Sequence, residues 1–253
     1  MPARQRAAWN TRRRVWKPPA DSFTRRAAGA SFGAKADPWQ DEPVAQHPLI
    51  ETFRAARIVP VIRTSTAARA ATAVEWLKGA GITIFEITLT IPDALSVIRD
   101  VAADPSLLVG VGTVPDAAAA EASLQAGARF VVSPWVEPAL VAPARAAEAC
   151  VMMGAFTPTE VRAARAAGAD VVKIFPASSA GGPAHIKALK SVFPDVVFCP
   201  TGGVDARNAG DYIAAGASFV GIGGKLVDES AIAAGNRGAL EAAAREALGI
   251  VQA

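Results

Sequence analysis

Two textures alternate along most of the chain. Ala-rich segments that read as helices give way to short runs of β-branched and aromatic residues that read as strands. Four phrases carry the alternation: "GAGITIFEI" from Gly79, "QAGARFVVSP" from Gln125, "AAGADVVKIFP" from Ala166 and "AAGASFVGIGG" from Ala214. In each, the Ala-rich segment closes on Ala-Gly, at Gly81, Gly127, Gly168 and Gly216. Glycine just past a helix end supplies the left-handed residue that lets the chain turn back. The intervals hold four more strand-like runs, "RIVPVIR" (57–63), "LLVGVGT" (107–113), "CVMMGAF" (150–156) and "DVVFCPTGG" (195–203). The pattern predicts eight strands alternating with eight helices, the α/β arrangement of a closed (β/α)8 TIM barrel. A doubly wound open sheet is the alternative. It seldom keeps such even spacing, and no Gly-x-Gly-x-x-Gly follows the first strand.

The pattern fails before about residue 47. Residues 1–46 show no sustained apolar period, are interrupted by "KPP" and "DEP", and hold nine Lys or Arg against four Asp or Glu. They read as a basic, disordered N-terminal extension, with the barrel over 47–253 as a single domain. A nucleic-acid or membrane-surface arm, a targeting peptide and an inert extension are all compatible with that composition. The formal charge of +3 is therefore a property of the extension, and the rest is slightly acidic. At 51% apolar and 19% charged residues, the chain has ample material for a core, and no stretch is long and unbroken enough to span a bilayer. Cys150 and Cys199 lie in apolar runs without metal-ligand spacing, which favours a reduced, cytoplasmic setting. With His47 and His185 the only histidines, a His-rich metal site is not expected.

Lys173 sits among Val171, Val172, Ile174 and Phe175, in a run that otherwise reads as a buried strand. A buried ammonium is costly unless paired or neutralised, and a desolvated lysine readily becomes a nucleophile. Glu86 occupies the matching place in "TIFEITLT", on one face with Ile84 and Thr88. In a barrel, inward side chains near the C-terminal strand ends form the active face. Two opposite charges there are either a buried structural ion pair or a catalytic pair. Two glycine-rich stretches, "CPTGGVDARN" (199–208) and "VGIGGKLVDES" (220–230), follow the seventh and eighth strands, where loops in barrels commonly cradle phosphate. Thr113, Ser133 and Pro134 end the third and fourth strands, where hydroxyls reach towards a carboxylate or keto oxygen.

In order along the chain, "FEITLT", "VGVGTV", "VVSPW", "GAFTPTEV", "VVKIFPAS" and "FCPTGGV" resemble the 2-keto-3-deoxy-6-phosphogluconate (KDPG) aldolase family. That family also includes 4-hydroxy-2-oxoglutarate (KHG) and 2-keto-3-deoxy-6-phosphogalactonate aldolases. The resemblance covers roughly residues 50–250 and implies a metal-free class I aldolase on a TIM barrel, usually a homotrimer. It implies Lys173 as the Schiff-base lysine, Glu86 as the general acid and base, and Thr113 and Arg63 near the pyruvyl carboxylate. Pro134 and Phe175 would line the pocket, and Gly202, Gly203, Gly223 and Gly224 would hold the substrate phosphate beside Thr201. The implied partner is a keto-acid sugar phosphate. No cofactor is implied beyond the covalent imine.

The chain departs from the family pattern at three places. Thr90 stands where many members carry arginine, so the substrate carboxylate leans on Arg63 instead. Gly224, followed by Lys225, replaces a serine in the last phosphate loop. Met153 precedes Gly154 where proline is usual, which implies a differently shaped loop there. None of the three touches Lys173 or Glu86, so they bear on the choice of sugar acid. The body lacks a basic face or a nucleic-acid motif, so a non-catalytic barrel with a nucleic-acid-binding tail rests on the extension alone. A divalent-metal aldolase lacks a ligand cluster in the sequence.

Overall fold

Short strands alternate with helices over residues 46–252, the part of the chain that the computed structural model describes. The strands are β1 (Ile58–Ile62), β2 (Ile84–Thr88), β3 (Leu108–Gly112), β4 (Phe130–Val132), β5 (Cys150–Ala155), β6 (Val171–Ile174), β7 (Phe198–Pro200) and β8 (Val220–Ile222). They pair in parallel in the order β7-β6-β5-β4-β3-β2-β1-β8, and a parallel bridge between Thr201 and Gly221 brings the two ends of the sheet together. This is the TIM barrel expected from the alternation. The extension expected over residues 1–46 lies outside the described residues except for its last position.

The helices are α1 (Leu49–Ala56), α2 (Ala67–Gly79), α3 (Ala94–Ala102), α4 (Ala117–Gln125), α5 (Val141–Ala146), α6 (Pro158–Ala167), α7 (Pro183–Val192), α8 (Ala206–Ala214), α9 (Glu229–Ala233) and α10 (Arg237–Gln252), with a 3-10 turn at Pro138–Leu140. The described residues therefore hold two more α-helices than the eight expected, α1 before the first strand and α9 after the last. Local chemistry sets the helix ends. Thr66, Asp116, Thr157, Asp205 and Asp228 cap their helices by accepting from backbone N–H groups, and the four expected glycines turn back at φ +100, +109, +100 and +106.

Two apolar layers result. The outer one, between strands and helices, is the larger and includes Ile62, Ile87, Val111, Val131, Met153, Val172 and Ile222. The inner one fills the barrel with Val59, Ile84, Phe130, Val132, Met152, Val171, Val197, Cys199 and Phe219. Helix α1 plugs its N-terminal end: Phe53 stacks on Phe219 at 4.9 Å between ring centroids and meets Phe130 edge-on at 5.2 Å. The expectation of a loop at Met153 is corrected. Met153 lies inside β5, paired with Val172, and its buried side chain packs in the outer layer.

Candidate active site

The inward positions of β2 and β6 rise from this apolar floor to the two charges singled out in the sequence. Lys173 Nζ lies 3.3 Å from Glu86 Oε1, and both side chains are almost completely buried. The register explains why they meet. Glu86 is level with Gly110 on β3, whose missing side chain leaves space for the Phe130 ring, and Lys173 is level with Gly154 on β5. A side chain at Gly112 would place its first carbon 2.1 Å from Glu86 Oε1. At Gly154 the same atom would stand 2.1 Å from the carbonyl carbon of Pro134. Gly112 thus leaves room for the Glu86 carboxylate and Gly154 for the Pro134 main chain, the close approaches that glycine within a strand permits.

Cys199 faces Lys173 from β7 and is buried. Burial pushes its thiol up to about 12, against the pull of the nearby Lys173 ammonium. It is therefore a neutral wall of the pocket at physiological pH. Phe175 follows Lys173, half-buried, with its ring centroid 5.6 Å from Nζ. Thr201 is buried beside Cys199, its Oγ1 3.8 Å from the sulfur, and glycine at 221 on β8 gives that hydroxyl its space.

At the mouth, Arg63 Nη2 donates to Thr113 Oγ1 at 3.1 Å. The structure thus brings together the arginine and threonine expected near a carboxylate, at the ends of β1 and β3 on either side of the strand that carries Glu86. Thr113 is held at φ +59, a left-handed conformation that non-glycine residues rarely adopt and that tends to mark functional sites. The exposed Thr90 hydroxyl lies 2.8 Å from the buried Thr88 hydroxyl, which donates to the Ile62 carbonyl. Ser133 is buried and accepts from the Trp135 N–H, and Pro134 is half-buried over Gly154.

The glycine loops follow β7 and β8, and β8 is the neighbour of β1. Gly202 and Gly203 both take positive φ, +87 and +77. The loop after β6 is laced to them through Ala177 N–H to Thr201 O (2.8 Å) and Ser178 N–H to Gly202 O (3.0 Å). A side chain at Gly203 would collide with Ser178 Oγ at 2.1 Å. The Ser178 hydroxyl thus lies against the glycine turn; it closes the motif "VVKIFPAS", in which the resemblance implied no role for it. Gly223 carries a tight turn, its carbonyl accepting from Leu226 and Val227 N–H, while a side chain at Gly224 would meet nothing within 4 Å. Gly224 is exposed. Lys225 is exposed and lines a separate cleft of about 170 Å³ with Asp205, Arg207, Leu226 and Glu246, between α8 and α10. Among the described residues, no three His, Cys, Asp or Glu side chains gather as a metal site, and no helix is long and apolar enough to cross a membrane.

This arrangement has counterparts. Residues 49–243 match the family model for KDPG and KHG aldolases. A 2-dehydro-3-deoxy-phosphogluconate aldolase of Pseudomonas aeruginosa is 36% identical over 197 residues, which span 77% of this chain and 89% of the relative. A probable 2-dehydro-3-deoxy-6-phosphogalactonate aldolase of Rhizobium meliloti is 42% identical over a shorter 149 residues, 58% of this chain and 70% of the relative. Among solved structures, the KDPG aldolase of Legionella pneumophila, with pyruvate captured at low pH as a covalent carbinolamine intermediate, superposes with a TM-score of 0.71. It is 31% identical and covers 82% of this chain and 98% of that one. A buried lysine–carboxylate pair at the mouth of an eight-stranded barrel, a match across nearly all of that barrel and relatives this similar lead to one assignment: the chain belongs to the KDPG and KHG aldolase family.

Proposed function

We propose that the protein is a class I aldolase that cleaves 2-keto-3-deoxy-6-phosphogluconate to pyruvate and glyceraldehyde 3-phosphate, with Lys173 as the Schiff-base residue. The observation that carries this reading is the buried Lys173–Glu86 contact at 3.3 Å, below a mouth that carries Arg63 after β1 and glycine loops after β7 and β8. A purely structural ion pair in an apolar barrel adds little stability, because desolvation offsets the attraction. A nucleophile beside a proton carrier gives the pair a chemical purpose.

In this mechanism the neutral Lys173 amine attacks the C2 ketone. Glu86 delivers the proton that lets the carbinolamine lose water, leaving a protonated imine. The C4 hydroxyl then gives up its proton to Glu86, the C3–C4 electron pair flows into the imine, and the aldehyde departs. What remains is an enamine. Glu86 returns the proton to C3, and water hydrolyses the imine to release pyruvate and regenerate the amine. The imine is the electron sink, so the reading requires no metal. Arg63 and Thr113 hold the pyruvyl carboxylate, Pro134 and Phe175 border the pyruvyl group, and Thr201 with Gly202, Gly203, Gly223 and Gly224 receives the phosphate. Backbone N–H groups approach an anion closely where side chains are absent. A homotrimer in the cytoplasm, with the barrel formed by residues 47–253, completes the reading; its support is the family resemblance and the two buried free cysteines.

The 42% identity to the Rhizobium meliloti relative favours a second reading at the level of the sugar acid, the C4 epimer 2-keto-3-deoxy-6-phosphogalactonate. One experiment addresses both the reaction and the choice. Borohydride reduction in the presence of pyruvate is expected to leave a pyruvyl adduct on Lys173 in peptide mass spectra, and parallel turnover of the two epimers ranks them. A folded sample with no adduct overturns the class I reading.

A further inference from the structure

We propose that Glu229, which lies outside the catalytic pocket, is a positioning residue that fixes the spacing between the two anion-binding ends of the site. The inference rests on the aldolase reading above, in which Arg63 takes the substrate carboxylate and the Gly223–Gly224 turn takes part of its phosphate.

Strands β1 and β8 are neighbours, with Pro60 level with Ile222. The segments that leave their C-terminal ends therefore run side by side, one carrying Arg63 and the other Gly223 and Gly224. A single carboxylate oxygen joins them. Glu229 Oε1 accepts from the Ser65 main-chain N–H at 2.8 Å, from the Ser65 hydroxyl and from Arg69 Nη1 at 2.7 Å. Arg69 also donates to the Ser65 hydroxyl at 2.7 Å, so the three groups close a ring. The main-chain bond matters most, because it fixes the backbone two residues from Arg63 rather than a freely rotating side chain.

The other side of the latch is equally anchored. Gly223 O accepts from Leu226 N–H at 2.8 Å and from Val227 N–H at 2.9 Å, and both of those side chains are buried. Asp228 then caps α9 through Ser230 and Ala231 N–H, which holds Glu229 at the first position of that helix. A continuous chain of bonds thus runs from the phosphate turn, through Glu229, to the loop that carries Arg63. Bonds to an ionised carboxylate are roughly twice as strong as neutral ones, and Arg69 supplies the charge that an uncharged acceptor would not attract.

A substrate with an anion at each end gains from both sites only if their separation is set beforehand. Otherwise part of its binding energy goes into ordering a loop. A ligand that uses only one end does not sense the separation. This difference distinguishes a positioning role from a general structural one.

The test uses the full chain, as wild type, Glu229→Gln and Ser65→Ala. KM and kcat are measured with the phosphorylated six-carbon substrate, and inhibition constants with pyruvate alone and inorganic phosphate alone. For Glu229→Gln the expected result is a KM raised about tenfold, with kcat and both inhibition constants within about twofold of wild type. Ser65→Ala, which keeps the main-chain bond, is expected to shift KM in the same direction by less, and it stands in if Glu229→Gln does not fold. An unchanged KM overturns the proposal, as does a rise of both inhibition constants in step with KM. A wild-type protein that neither turns over the substrate nor forms the pyruvyl adduct overturns the aldolase reading, and the latch with it. A working wild type with an unaltered Glu229→Gln overturns the latch alone.

Discussion

Gly112 stands level with Thr88, one strand over from Glu86, and the missing side chain is what lets the carboxylate lie where it does. A methyl group at 112 would reach to 2.1 Å from Oε1 and 2.7 Å from the carboxyl carbon, closer than atoms can approach. Glu86 is the easier of the two to move, because Gly112 is fixed in the ladder of β3. Gly112→Ala is therefore expected to push the carboxylate away from Lys173 and to lower kcat by about tenfold to a hundredfold, since a misplacement of about 1 Å costs that much in a positioned site. Thermal melting checks that the barrel persists, and steady-state kinetics reads the effect. A wild-type kcat in Gly112→Ala would mean that the 3.3 Å contact is not the working geometry. Cys199 shows the same economy from the opposite direction. As a small neutral thiol level with Lys173, it fills the wall without adding a competing charge.

At the scale of elements, α1 does the work of a stopper. Its Ile50 and Phe53 are buried against the inner layer, and Phe53 alone touches two rings, Phe130 of β4 and Phe219 just before β8. Phe53→Ala is expected to cost about 3–5 kcal/mol of stability, the usual range for emptying a buried phenylalanine site. Because the plug sits at the N-terminal end and Lys173 near the C-terminal end, kcat at temperatures well below melting should stay within about twofold. Denaturant unfolding beside activity assays separates the two, and a large loss of kcat in a folded Phe53→Ala would tie the plug to the chemistry. Neither α1 nor α9 was legible in the sequence, for a physical reason. They are eight and five residues long, too short for an apolar period to stand out, and they are helical because the barrel packs them. The eight strands were legible because each β-branched run is bounded by a turn signal, and Ala-Gly marks the C-terminal end of four helices. Lys173 and Glu86 were legible as misplaced charges in apolar runs. Their mutual distance was not, since it depends on closing a sheet across four strand pairings between residues 87 positions apart. Met153 shows the converse error: comparison with a usual proline suggested a loop, whereas the residue stands within the strand-like run 150–156 and pairs with Val172 in β5.

For the whole molecule, the described region holds a closed circuit of strands. Residues 46–252 contain the plug, all eight strands, the bridge from Thr201 to Gly221 that completes the circuit, and every residue given a role in the mechanism. His47 already ties the start of this region to the body, through its contact with the Glu148 carbonyl at 3.2 Å and the Leu49 N–H bond to its other ring nitrogen. Deletion of residues 1–45 is therefore expected to leave kcat/KM and the melting temperature close to those of the full chain, within about twofold and a few degrees. The same deletion bears on the basic segment. Nine cations against four anions lie in residues 1–46, and the remainder is slightly acidic. Any salt-sensitive retention on DNA by the full chain should thus vanish in the truncated form, because binding of that kind scales with the number of phosphates neutralised. If the truncated protein folds but loses turnover, the extension takes part in the site and the boundary drawn at residue 46 is wrong. If it keeps turnover and still binds DNA, the slightly acidic body must carry a nucleic-acid surface that neither its charge nor its motifs disclose.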